Sequence, residues 1–326
     1  MYRPVACAFL FLAAFACGGF LGAPAEAANI IPEHPRLFFR SGHWGSRGLT
    51  LVALRQRAGR PEAAAILAQL QDSPPNLSLR AILLGDERAA RQALEMLSTP
   101  FRWKELTTDE GIELAWRAMA YDWLYHHPAF SPEKKKQSAE SLVAAAERLL
   151  RELDQGEPHI FHTRMYGWAM GIGLAGLALA GEHPRAEFLA DYACRYFRQR
   201  LLPARRLQDG TVHNGFGYGR KYTLWLTAHF LSCWFSATGE NLWERIRSDE
   251  GDWARREILF LWLGRYPDRS YLRFGDSYSL FSDHYTFRAV AERAWAYDDP
   301  AGWGILNRLI RENAGNVVEK SSAYVY

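Results

Sequence analysis

Lysine, methionine and cysteine are scarce in this 326-residue chain, which has six Lys, five Met and four Cys. So few cysteines at this length exclude a small scaffold held by a disulfide framework. Long basic runs are missing too. Lys134-Lys135-Lys136 stands out and reads as one solvated helix turn. The formal net charge is only +3, from 39 basic and 36 acidic residues, which argues against a general nucleic-acid binder. Nearly all the basic residues are Arg. A GC-rich genome accounts for most of them, although Arg forks also suit carboxylate and sulfate groups. There is no H-E-x-x-H, no G-x-x-x-x-G-K-[ST], no strand-fed G-x-G-x-x-G and no G-x-S-x-G. Apolar residues are plentiful: 48% of the chain is hydrophobic and 14% aromatic, with 12 Trp. That excludes disorder, and it suits either a core or stacking on sugar rings. The length allows one large domain or two ordinary ones.

Residues 1–27 read as a secretory signal. Arg3 supplies the positive end, Val5 to Leu21 the apolar stretch and Ala25-Glu26-Ala27 an A-x-A cleavage site. A mature chain in the periplasm or outside the cell is therefore expected. Acylation of Cys17 would make a lipoprotein instead, but Phe15 fits that pattern poorly. Cleavage after Ala27 removes Cys7 and Cys17. Cys194 and Cys233 remain, either paired or as small buried thiols. Tyr166 to Gly181 carries no charge but is shorter than the roughly 20 residues a bilayer needs. It reads as a helix buried on all sides, so no membrane span is expected in the mature chain.

The two prolines in Pro32-Glu33-His34-Pro35 forbid a helix, so residues 28–48 read as an extended arm. Helical patterns follow at Leu49–Arg57, Pro61–Leu70 and Asp86–Leu97. Thr107-Thr108-Asp109-Glu110 caps a helix running to Leu124. Ser131-Pro132-Glu133 opens another to about Leu153. Further patterns cover Thr163–Ala180, Pro184–Leu202 (ended by Pro203), Lys221–Thr238, Trp253–Leu263, Thr286–Tyr297 and Trp303–Asn313. A loop is expected over 204–219. The rhythm is of helical hairpins, with uncharged helices alternating with amphipathic ones. An all-α fold is expected, with residues 49–315 forming an α/α toroid, an incomplete barrel of helical hairpins.

Three loop clusters hold the chemistry-bearing side chains. The first is His159-Ile160-Phe161-His162-Thr163-Arg164-Met165-Tyr166-Gly167-Trp168. Two imidazoles three apart at a helix entrance exchange protons, bind an anion, or simply cap the helix. His-x-x-His alone is a weak metal signal and no cysteine pair lies nearby, so neither metal nor cofactor is expected. The second cluster runs from Asp209 to Tyr222. Glycines 215, 217 and 219 let the backbone turn tightly, which would aim Asn214, Tyr218, Arg220 and Tyr222 into a cleft. A tyrosine beside Arg220 and Lys221 is expected to have a lowered pKa. The competing reading is an ordinary surface loop with a buried tyrosine. The third cluster is Tyr271-Leu272-Arg273-Phe274-Gly275-Asp276. Asp276 orients a His or Tyr, bonds a sugar hydroxyl, or caps the next helix. Glycosidase chemistry needs two facing carboxylates, for which Asp209 and Asp276 are the candidates. The loops hold more His and Tyr than acids, which suits proton abstraction beside a carboxylate better than hydrolysis.

At these residues the chain resembles the heparinase II/III-like polysaccharide lyases, a group with alginate-lyase relatives. The likeness lies in His34-Pro35-Arg36-Leu37-Phe38-Phe39, in Ala120-Tyr121-Asp122-Trp123-Leu124-Tyr125 followed by Ser131-Pro132-Glu133, and in His162 to Glu182. It continues in Gly217-Tyr218-Gly219 with Tyr222, and in Phe274-Gly275-Asp276. Their order along the chain is the strongest signal. The resemblance implies an α/α toroid without the family's C-terminal β domains, with 316–326 as the start of one. It implies cleavage of an acidic, uronic-acid-containing polysaccharide by β-elimination. Tyr218 would act as base or acid, and His162 would neutralise charge or share the proton. Asn214, Arg164 and His159 would help hold the substrate carboxylate, while Trp168 and Tyr222 would line the sugar cleft. A non-catalytic glycan-binding or exopolysaccharide-assembly protein and a toroidal glycoside hydrolase are the alternatives.

Overall fold

The structure, a computed structural model, describes residues 29–44, 48–68, 70–155, 160–275 and 283–312. The signal 1–27, the tail 316–326, His159 and Asp276 lie outside the described residues. Two short parallel strands, β1 (Phe39–Arg40) and β2 (Leu49–Thr50), precede a succession of helices. The first are α1 (Leu51–Ala58), α2 (Pro61–Ala68), α3 (Pro74–Leu84) and α4 (Glu87–Ser98). Then come α5 (Thr108–Trp123), α6 (Pro132–Asp154), α7 (Thr163–Leu179) and α8 (Ala186–Tyr196). A π turn at Phe197–Leu201 carries α8 into α9 (Leu202–Gln208). The one-turn α10 (Phe216–Tyr218) passes through a second π turn, Gly219–Thr223, into α11 (Leu224–Thr238). The described chain closes with α12 (Leu242–Asp249), α13 (Trp253–Leu263), α14 (Asp283–Tyr297) and α15 (Pro300–Glu312). The all-α expectation holds among these residues. None of these helices is long and apolar enough to cross a membrane.

Periodicity missed α3 and α12. α3 opens on Pro74-Pro75 and buries most of its sides, so it shows no stripe. α12 has only eight residues. Pro203 does not end its helix, and α9 occupies part of the expected loop. The π turn ends at Leu201, two residues before Pro203, so the missing N–H falls in the first turn after the hydrogen-bond ladder changes register. Cys194 and Cys233 are both buried and unpaired. Burial raises both thiol pKa values, that of Cys194 to about 12.

The core gathers around α7, in which every residue from Met165 to Leu179 is buried. Its most extensive neighbour is α5. The two approach through glycines, because a Cβ added to Gly111 would lie 2.2 Å from the Gly167 carbonyl oxygen. Beside that crossing the Thr108 and Thr163 hydroxyls meet at 2.9 Å, which brings the N-terminal ends of both helices together. Gly111→Ala is expected to force these backbones apart and cost about 1–3 kcal/mol. Thermal melting would read this as a fall in Tm of about 5 °C; an unchanged Tm would deny the close approach.

The opposite ends of the same helices are tied by the arm. Asp122, in the last turn of α5, is fully buried. Its carboxylate accepts the backbone N–H groups of Arg36 (2.9 Å) and Leu37 (2.9 Å), and contacts His34 Nδ1 at 2.6 Å. Arg36 donates to the Ala180 carbonyl just beyond α7, at 2.9 Å. A cation there complements the helix dipole. Arg36 also offers its own carbonyl to Ser236 of α11, at 2.7 Å. The two motifs nearest the chain start in the resemblance, around Arg36 and around Asp122, are thus partners in one buried clasp. A second buried cluster lies elsewhere in the core, where Glu257 of α13 accepts from Arg205 and Arg293.

Candidate active-site cleft

A cleft of about 640 Å³ opens where the N-terminal parts of α5, α7 and the α10–α11 segment converge. Three stretches line it. α5 contributes Thr107, Thr108 and Asp109; the entrance of α7 contributes Phe161, His162, Thr163 and Arg164; the glycine loop contributes His213, Asn214, Tyr218 and Tyr222.

Local sequence explains each placement. Thr107 and Glu110 form a capping box, which starts α5 at the cleft wall. His162 is the N-cap of α7, and its Nδ1 accepts the Arg164 N–H at 3.2 Å. An accepting Nδ1 puts the proton of the neutral ring on Nε2, making that edge a donor. In the glycine loop, Gly215 has φ 88° and pairs with Gly275, at φ 56°. A Cβ on Gly275 would sit 2.6 Å from Gly215 Cα, so only glycine allows the crossing. Phe216 N–H donates to the Phe274 carbonyl at 3.1 Å. The third sequence cluster therefore braces the second, up to Gly275. The π turn then follows, and the rings of Tyr218 and Tyr222 lie 5.5 Å apart. Such turns are frequent at functional sites.

Of the eight residues singled out from sequence, His162, Arg164, Asn214, Tyr218 and Tyr222 meet in this cleft. His159 and Asp276 lie outside the described residues. Trp168 lies behind the wall. It is 2% exposed, and its indole donates to the Thr107 carbonyl at 2.6 Å, so it supports the lining rather than forming it. Arg220 also turns inward, stacking 3.7 Å over Tyr271 and donating to Thr286 Oγ1. The expectation of an acidified tyrosine is reversed at Tyr222. Burial raises its pKa; Lys221 opposes that shift and Asp109 adds to it. Asp209 is exposed, pairs with Arg256, and is not a lining residue.

Sequence reasoning passed over Asp109 and His213 as site residues. Asp109 was absorbed into a helix cap, and His213 sat unremarked in the glycine loop. His213 is a tether. Its Nδ1 faces the Gln208 amide nitrogen at 2.8 Å, and it hydrogen-bonds the Phe161 backbone. Gln208 is oriented in turn because its oxygen accepts from Arg205. Burial lowers the His213 pKa, the Phe161 bond opposes this, and Arg205 and His162 lower it further. Between the depressed folded pKa and the unfolded value near 6.5, the unfolded chain binds more protons. The tether's stability contribution is thus complete above about pH 6.5 and is lost as pH falls through the folded value. His213→Gln is expected to flatten the acid-side fall in Tm; an unaltered slope would remove His213 from that role.

Among the described residues no group of three or more His, Cys, Asp or Glu is placed to hold a metal ion. Compared with known proteins, the chain matches no family model and no curated protein.

Proposed function

We propose that the protein is a polysaccharide lyase that cleaves a uronic-acid-containing glycan by β-elimination, in the periplasm or outside the cell. The observation that carries this reading is that His162 and Tyr218 line one cleft, together with Arg164 and Asn214. The resemblance to heparinase II/III-like lyases supplies the reaction class. The converging helices α5, α7 and α11 are read as inner members of an α/α toroid, with the amphipathic α6 and α8 outside. Supporting this are the all-round burial of α7 and its packing on α5, α6, α8 and α11.

The chemical obstacle is the weakly acidic proton at C5 of the uronate. Removing it builds enolate-like charge on the neighbouring carboxylate, which the site must neutralise. The Nε2–H of His162, the Arg164 guanidinium, Asn214 and the positive ends of α5 and α7 supply that field. Tyr218 is the base that takes the C5 proton. The electron pair forms the C4=C5 double bond as the C4–O4 bond breaks, and O4 leaves with the proton carried by the phenol. No water is consumed.

The test is incubation with alginate and glycosaminoglycans while following the ultraviolet absorbance of the unsaturated product. Expected is rising absorbance with product masses that sum to the substrate. Saturated products heavier by one water would instead mark a hydrolase. Binding with no cleavage on any substrate would mark a glycan-binding or assembly protein.

A further inference from the structure

Asp109 is the one carboxylate among the described lining residues of the cleft. Its carboxylate stands in the first turn of α5, where it complements the helix dipole, but it takes no part in the capping box. Thr107 and Glu110 already complete the capping box, and Asp109 contributes only its backbone N–H, to Thr107 Oγ1 at 3.2 Å. The side chain is exposed, and its hydrogen-bond partner among the described residues is the Tyr222 hydroxyl, at 3.3 Å. The Tyr222 ring is 5.5 Å from that of Tyr218. Asp109 and Tyr218 thus line one cleft, linked through Tyr222, and a sugar seated against Tyr218 occupies the cavity that Asp109 faces.

We infer that Asp109 determines specificity in this cleft, accepting hydrogen bonds from the hydroxyls of an unsulfated uronate and excluding O-sulfated sugars. The inference rests on the lyase reading only for placing a uronate against Tyr218. An ionised carboxylate is an acceptor with no proton to give, so it matches sugar hydroxyls. A sulfate ester offers acceptors alone and a second negative charge. Replacing hydroxyl by sulfate removes a donor and sets like charges side by side, which is specificity by repulsion. The surrounding field of His162, Arg164 and the two helix ends attracts anions generally, so without Asp109 nothing in this lining would discriminate against sulfate. At a few ångströms the like-charge contact costs about tenfold in affinity or more.

The experiment titrates alginate, hyaluronan and heparosan oligosaccharides, each native and chemically O-sulfated, into the full chain by calorimetry. Ultraviolet absorbance of unsaturated product is followed in parallel. Expected is binding of at least one native glycan, with its sulfated form weaker by about tenfold or more. Asp109→Asn should shrink that gap to within about threefold, and Asp109→Ser should do the same if the first variant folds poorly. Equal or tighter binding of sulfated glycan by the wild type overturns the inference, as does a gap that persists in both variants or failure to bind any native glycan. Discrimination without absorbance would retain this role for Asp109 while removing the lyase reading. Cleavage of native and sulfated glycan alike by wild type and variant would do the reverse.

Discussion

Tyr218→Phe is expected to abolish elimination, lowering kcat by about a thousandfold or more, while glycan affinity stays within a few-fold of the wild type. General acid–base groups contribute about 10²–10⁴-fold on their own. A residue that both removes the C5 proton and protonates O4 stands at the upper end. Phe preserves the ring that lies 5.5 Å from Tyr222, so the shape of the cleft is kept and only the hydroxyl goes. Single-turnover absorbance with pre-bound oligosaccharide separates chemistry from binding. A kcat within tenfold of wild type would remove Tyr218 from the proton path. His162→Ala is a useful contrast. It loses the acceptor of the Arg164 N–H and so costs about 1 kcal/mol of stability as well as rate. Tyr218→Phe removes no side-chain helix cap.

The second large effect belongs to the far end of the molecule. Asp122→Ala is expected to destabilise the protein by about 3–5 kcal/mol, because it leaves a buried cation and two backbone donors uncompensated. Arg36 is fully buried and lies 3.9 Å from Asp122, and the N–H groups of Arg36 and Leu37 both end on its carboxylate. In a domain of this size the Tm should fall by about 10 °C. Limited proteolysis should then cut within residues 29–44 before it cuts the helices. Asp122→Asn keeps the volume but turns an amide donor toward donors, so it should recover only part of the loss. If the melting temperature and the arm's protease resistance both survive Asp122→Ala, the clasp does not hold the arm.

Much of this helical frame is visible in the residues themselves. Thr107 with Glu110, and Ser131 with Pro132, announce their helices because capping chemistry is local. The uncharged stretch after Arg164 announces a helix without a solvent face, and the structure buries it from Met165 to Leu179. What escaped depends on partners distant in the chain. Pro203 looked like a stop because the π turn before it leaves no residue pattern. Arg220 looked like a cleft residue because Tyr271 and Thr286, which draw it inward, lie far along the sequence. The resemblance implies a place for Trp168 at the sugar surface, whereas its ring is buried and its indole donates to the Thr107 carbonyl. Asp109 was hidden by sitting beside two better capping residues. His162, Arg164, Asn214, Tyr218 and Tyr222 belong to the loop clusters of the sequence and line the cleft, while the tethering of His213 through Gln208 and Arg205 has no sequence signal.

The clasp also constrains when the molecule can become complete during synthesis. Arg36 needs Ala180, 144 positions later, and Ser236, 200 positions later. Ile31 donates to the carbonyl of Ala237. The leading segment can meet Asp122 early, but it cannot complete its docking until roughly the first 240 residues have left the ribosome, and contacts this distant are slow to form. Helical pairs such as α5 and α7 assemble earlier, so the arm is among the last pieces seated. The arm's last contacts therefore close only after most of the chain has been translated.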